Sequence, residues 1–547
     1  MSKFKDFFKG TTGKDVVLSL QHMFAMFGAT VTVPLVVGMS IPLALFTAGI
    51  GTILFLICTK FKVPVFLGSS FAFMPGLITV FSQQGAGYSY NQVALAAMIA
   101  LVLAGLIYVL FAGIIKVVGV QKVKKLFPPI VVGPIIIIIG MNLAGSIFWN
   151  DIIVNTVAKT TGAGGVTALA LSPDSWKYWT TAVLTAVTIV AINAYAKPKS
   201  FLKVVPIVLG FLVGYIYGMC VGIVNLDPSS AGFIFSKTAE GKVLIFQMAQ
   251  ESWGFWGAWK GLDGALIGTA ILCIVPIAIV TFMEHLGDIS ANSIVCNKDF
   301  MVDPGLHRTV LGDGIATMVS GLLGGPANTT YGENTAVLAI TKNYNPRNIF
   351  YAACFAVVLG LFVPIGEFIG GIPPAVVGGA CIVLFGMIAA NGLRALVDGR
   401  VDFSDSKNLI VVSITLSVGL GLGAVALAGD VVSSVTNYTL NGNILKVGFS
   451  VGNGGFVNIS ALCISTLLAI FLNIIIPNSK EKTVEEEEAY ENAPVTLMAT
   501  VDEAVEDVIE EKKEEAFADE KATEEVAAQL QKEIEKEFDK GNSKSAD

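Results

Sequence analysis

The chain has 547 residues, of which 54% are hydrophobic and 14% charged, with a mean hydropathy of +0.72. Soluble globular domains carry roughly 25% charged residues, so this composition excludes an ordinary water-soluble enzyme or binding module. The formal charge of −7 joins two unlike regions: residues 483–547 hold 22 acidic residues and 7 Lys, and residues 1–482 carry a net +8.

A helix needs about 20 apolar residues to cross the hydrocarbon layer. Hydropathy predicts fourteen spans, at 15–38, 41–60, 66–82, 91–115, 127–147, 177–196, 201–224, 262–288, 307–324, 329–341, 349–366, 373–393, 408–428 and 455–477. The first run is too long for a cleavable signal peptide and contains Pro34. The third and tenth are short and interrupted by Gly, Ser, Thr or Pro. With the N-terminus in the cytoplasm, the inside loops hold 22 Lys and Arg and the outside loops six, alternating loop after loop as the positive-inside rule requires. Both termini are therefore expected in the cytoplasm. The seven cysteines are scattered, without CxxC spacing, which suggests neither a disulfide framework nor a zinc site.

Two stretches recur. Pro128-Pro129-Ile130-Val131-Val132-Gly133 matches Pro373-Pro374-Ala375-Val376-Val377-Gly378, and Gly49-Ile50-Gly51-Thr52 resembles Gly314-Ile315-Ala316-Thr317. These matches pair span 5 with span 12 and span 2 with span 9. A shift of seven spans is odd, so the halves face opposite ways, a hallmark of secondary transporters. The same shift pairs spans 3 and 10, the two broken segments. Corresponding interrupted segments mark a substrate site near the bilayer midplane, where irregular backbone is tolerated only beside protein or a cavity.

Ionisable groups are costly inside a membrane and are functional candidates there. Glu333 lies in span 10; Glu284 and Asp288 lie one turn apart on span 8 and share a helix face. Spacing alone leaves open that Glu284 sits at the cytoplasmic interface. A carboxyl group taken out of water is more easily protonated, so such a site can carry a proton and, when ionised, accept hydrogen bonds from N–H donors. No basic residue is expected nearby, which argues against an anionic substrate.

Four stretches resemble the bacterial uracil permeases of the uracil/xanthine permease family, also called nucleobase–ascorbate transporters or nucleobase:cation symporter family 2. They are Ser19-Leu20-Gln21-His22-Met23-Phe24-Ala25-Met26-Phe27-Gly28-Ala29-Thr30, Leu67-Gly68-Ser69-Ser70-Phe71-Ala72-Phe73, Asp303-Pro304-Gly305-Leu306-His307-Arg308 and Asn328-Thr329-Thr330-Tyr331-Gly332-Glu333-Asn334. The likeness runs from about Val16 to Pro477. It implies an all-α polytopic protein of two inverted seven-span repeats with short β-strands in spans 3 and 10. It further implies a cytoplasmic N-terminus (1–14), a core domain (15–126 and 262–366), a gate domain (127–261 and 367–478) and a tail (479–547). The implied activity is proton-coupled nucleobase uptake, most simply of uracil, across the cell membrane by a homodimer. No cofactor, metal or nucleic-acid partner is expected.

Carried over by motif, Glu284 and Glu333 would grip the base, and Phe71 and Gly332 would offer backbone N–H groups. Tyr331 would line the site, and Glu284 and Asp288 would couple or tune the proton. Ser70, Gln21, His22 and Asn334 are further candidates, although His22 suits helix packing as well as proton transfer. Uracil permeases usually have His at the position of Asp288, and the purine-transporting branch usually has Gln at that of Glu333; Ala336 also stands where Gly is usual. Xanthine is thus the rival substrate, and an anion transporter of the same architecture a more distant one. A membrane-embedded enzyme has little support, since three His cannot build a rich histidine site. The tail reads as disordered or marginally helical, with a stripe at Val526, Leu530, Ile534 and Phe538.

Overall fold

The computed structural model describes residues 13–84, 87–119, 128–161, 167–197, 200–224, 255–259, 262–436, 448–451, 455–458 and 461–477. The acidic tail with its apolar stripe, residues 1–12 and the lysine cluster at 122–125 lie outside the described residues. Residues 1–479 form one compact unit.

The chain opens with helices α1 (Gly13–Val37) and α2 (Ile41–Cys58), then a three-residue strand β1 (Leu67–Ser69) and a short helix α3 (Met74–Phe81). Long helices α4 (Tyr90–Val118) and α5 (Pro129–Ile147) follow, the latter extended by a π-helical turn, Phe148–Ile153. A hairpin, β2 (Val157–Thr161) and β3 (Thr167–Leu171), leads to α6 (Ser175–Tyr195) and α7 (Pro206–Val221). Next come α8 (Gly264–Ile274), α9 (Ile277–Val295), α10 (Leu306–Leu323), strand β4 (Asn328–Thr330) and α11 (Gly332–Thr341). The last described elements are α12 (Pro346–Gly360), α13 (Val363–Gly370), α14 (Pro374–Asp398), α15 (Ser406–Thr436), a hairpin of β5 (Gly448–Val451) and β6 (Gly455–Asn458), and α16 (Ala461–Ile475).

Among the described residues, eight helical segments are long and apolar enough to cross a membrane, and three shorter apolar helices accompany them. Large apolar side chains such as Leu110, Val183, Val187 and Phe471 are exposed on their flanks, which suits a hydrocarbon solvent.

Two boundaries differ from hydropathy. Span 8 is two helices broken at Pro276, because proline lacks an N–H and its ring clashes with the carbonyl four residues back. It also continues to Val295, seven residues past the expected end at 288. Ser290, Asn292 and Ser293 lower the local hydropathy, yet the helix persists: buried Asn292 donates to Pro64 O and Thr335 Oγ1. Glu284 is therefore well inside its helix, eleven residues or about 16 Å from the end, and not at its margin. Span 11 likewise ends at Gly360, and the chain restarts as α13, which contains Pro364.

Packing follows two sets. α4 lies on α10, α2 on both α12 and α10, and α1 on α12. Separately, α14 packs on α5 and α6, α7 on α6, and α15 on α5 and α16. Glycines allow the closest crossings. A Cβ at Gly133 would collide with Leu396, and one at Gly378 with Ile152 and Asp151, so the two copies of the Pro-Pro motif seat their helices in the same way.

The two broken segments meet as an antiparallel pair, with Leu67 opposite Thr330, Gly68 opposite Thr329 and Ser69 opposite Asn328. Two further bonds continue the ladder symmetrically: Ser70 N donates to Ala327 O (2.8 Å) and Tyr331 N to Phe66 O (3.1 Å). The threonines of the other repeated motif hold the strands. Thr52 Oγ1 donates to Leu67 O (3.1 Å) and accepts from Leu67 N (2.9 Å); Thr317 Oγ1 donates to Asn328 O (2.9 Å). Both strands are buried throughout, where backbone groups cannot turn to water, so these bonds are what makes non-helical chain tolerable there.

Candidate substrate site

The ladder register places Phe71 and Gly332 at equivalent positions, each just beyond a strand and just before or at the start of a short helix, α3 or α11. The first N–H groups of a helix lack intrahelical acceptors and carry the positive end of its dipole. Two such helix starts thus converge from the two halves of the chain.

α9 packs beside the start of α11. Glu284 and Asp288 are half-buried there and Gly287 between them is exposed; Gly332 and Glu333 are exposed, while flanking Tyr331 and Asn334 are buried. The accessible parts of the two elements at this level are therefore acidic, and we call the place where they meet the acidic recess. Asp288 bridges them: its Oδ2 accepts from Thr330 Oγ1 at 2.5 Å, and its Oδ1 lies 3.9 Å from where a Cβ on Gly332 would stand. Glu284 feels the charges of Asp288, Asp313 and Glu333. Phe71, half-buried, meets Phe385 of α14 edge-on, with centroids 6.1 Å apart, so the first broken segment touches the second packing set.

The remaining candidates are behind this recess. Tyr331 is 4% exposed. Its hydroxyl donates to Ser69 O at 2.9 Å and accepts from Thr30 Oγ1 at 3.3 Å, and its ring fills the space a side chain at Gly68 would need. These contacts clamp the strand pair to α1. His22 is buried, and Asn334 Nδ2 donates to its carbonyl oxygen (3.0 Å) and approaches its Nδ1 (3.3 Å), which ties α1 to α11 and favours the packing role. The Ser70 hydroxyl and Gln21 Oε1 are buried without hydrogen-bond partners among the described residues.

Sequence reasoning missed one pair. His285 Nδ1 and Asp313 Oδ2 are 2.9 Å apart, with both side chains fully buried. Asp313 sits inside span 9, so the argument that singled out Glu284 and Glu333, a charge in an apolar run, applied to it equally.

A helical membrane protein with helices broken at a polar recess is built as a transporter. The fold agrees with a solved structure of the transmembrane domain of a cyanobacterium bicarbonate transporter, BicA (TM-score 0.51, 14% identity, covering 75% of this chain and 95% of that one). It also agrees with that of SLC26A9 (TM-score 0.50, 12% identity, covering 81% and 68%). Residues 13–427 match the model of the permease family Xan_ur_permease. The chain is 37% identical over 486 residues to the uracil permease of Bacillus caldolyticus, covering 88% of this chain and 96% of that protein. It is 36% identical to that of Bacillus subtilis (87% and 95%) and 34% identical to that of Escherichia coli (78% and 90%). The chain belongs to the uracil/xanthine permease family: it is a multi-pass membrane transporter and not an enzyme.

Proposed function

We propose that this permease carries uracil into the cell by proton-coupled alternating access. The observation that supports the reading is that α9, with Glu284, packs beside the start of α11, with Gly332 and Glu333, in a chain whose relatives are named uracil permeases. Uracil's ring N–H groups donate to carboxylates, and its carbonyls accept from backbone N–H. The carboxylates serve the proton as well as the base, and Asp288 tunes them from one turn away. The same recess disfavours anion transport, because Asp288, Asp313 and Glu333 all place negative charge near Glu284.

The machine we infer has fourteen spans in two inverted repeats. Its core joins α1–α4 with α8–α12, its gate joins α5–α7 with α14–α16, both termini are cytoplasmic, and two copies form the working dimer in the cell membrane. The symmetric ladder, the matching roles of Thr52 and Thr317, and the segregation of helix packing into two sets support it. Asp288 favours a second reading, a purine base such as xanthine, since it stands where uracil permeases usually have His.

Competition uptake decides between the two. Labelled uracil should enter in a way that unlabelled uracil blocks and xanthine, guanine and ascorbate do not, and a proton uncoupler should abolish accumulation. Stronger competition by xanthine would give the site to purines, and sodium-dependent uptake that survives the uncoupler would remove the proton.

A further inference from the structure

His285 follows Glu284 directly and so projects about 100° around α9 from it, into fully buried surroundings where its ring lies edge-on to Phe55, with centroids 6.4 Å apart. There its Nδ1 meets Asp313 Oδ2 at 2.9 Å. Asp313 is on a firmly seated stretch of α10. A Cβ at Gly312 would collide with Phe55 of α2, and one at Gly314 with Tyr108 and Gly105 of α4, so α10 is pressed between two helices on either side of the aspartate. α9 is seated by apolar packing one turn before His285, where Phe282 lies against Phe111 of α4 with centroids 4.8 Å apart. Interhelical polar ties of α9 one to two turns farther along run from Asp288 to Thr330 and from Asn292 to Pro64 and Thr335.

We propose that His285 and Asp313 are a positioning pair for Glu284. The imidazole N–H donates to the Asp313 carboxylate, fixes the rotation of α9 at the level of the recess, and so presents the preceding carboxylate to the base. The proposal rests on Glu284 being a base ligand. A carboxylate buried in a membrane protein persists when it is paired, and a binding group keeps its geometry when the residues behind it are locked.

Uracil binding to the purified full chain, read beside its thermal unfolding, tests the pair. His285→Leu fills similar space without a donor; it should fold and bind uracil about tenfold or more weakly, the scale on which a site suffers when its support lets it drift. His285→Asn keeps a donor near Nδ1, and Asp313→Asn keeps an acceptor; both should bind within about threefold of the parent. Asp313→Asn in vesicles should still accumulate uracil.

A folded His285→Leu protein that unfolds at lower temperature but binds normally would make the pair merely structural. Asp313→Asn that binds but cannot accumulate would make Asp313 a proton carrier, and either result overturns the proposal. Should His285→Leu not fold, a tenfold loss in folded His285→Asn would overturn it too. Glu284→Gln separates the two levels of the argument. Unchanged affinity there removes the base-binding reading, whereas loss there with normal binding in His285→Leu removes only the positioning pair.

Discussion

The two broken segments share a backbone plan and differ in chemistry. The ladder register makes Phe71 the equivalent of Gly332, and Ala72 the equivalent of Glu333. Each strand is held by a threonine from its own half, Thr52 or Thr317. Yet the first segment offers an aromatic ring and a buried alanine where the second offers an open glycine and an exposed carboxylate. The same ladder satisfies non-helical backbone on both strands. The second segment carries the charge, next to α9 with Glu284 and Asp288, and the first makes apolar contact with α14 through Phe71.

The sharpest break in the symmetry is at Gly68 and Thr329, which face each other across the ladder. A Cβ on Gly68 would run into the Tyr331 ring and lie 2.7 Å from Thr30 Oγ1. Gly68→Thr is therefore expected to prevent recovery of folded, uracil-binding protein, beyond the ~1–3 kcal/mol usual for overpacking, because two buried elements must move. Thr329→Gly should fold, at a cost of about 1 kcal/mol. Size-exclusion profiles and unfolding temperatures of the two variants check this, and equal damage would mean the ladder has no such asymmetry.

A smaller effect sharpens the shared part. Thr52→Val strands both the N–H and the C=O of Leu67, and Thr317→Val strands one carbonyl. The first should destabilise by about 2–3 kcal/mol and the second by about 1 kcal/mol, read as ordered shifts in unfolding temperature. If Thr317→Val were the worse, the two threonines would not be doing the same job. The smallest effect should come from deleting residues 483–547, which lie beyond both repeats. Uptake should stay near that of the full chain, and its loss with normal insertion would make the tail part of the transport machine.

Much of this plan is legible in the sequence because a membrane makes its demands locally. Apolar runs located the helices, and Gly, Ser, Thr and Pro in the third and tenth runs marked the broken segments. Glu284 and Glu333 stood out as charges in apolar surroundings. What stayed hidden depends on partners far along the chain. Hydropathy cut span 8 short at Asp288, because it cannot see that Asn292 is satisfied by Pro64 and Thr335. The clamp that Tyr331 makes was hidden as well, because only the fold reveals that Gly68 leaves a slot for its ring. Asp313 was legible as a charge in an apolar run, but its pairing with His285, 28 residues back, needed the fold.

The most direct test is uracil affinity in purified Glu284→Gln and Glu333→Gln proteins. In each, a carboxylate oxygen that would accept from a ring N–H becomes an amide, and one charge-assisted hydrogen bond is worth about 1.5–3 kcal/mol, or roughly tenfold to hundredfold in affinity. Glu284→Gln should lose uracil most, and Glu333→Gln should lose it by that factor while gaining relative affinity for xanthine. Parent-like uracil affinity in both proteins would contradict the account, since neither carboxylate would then hold the base.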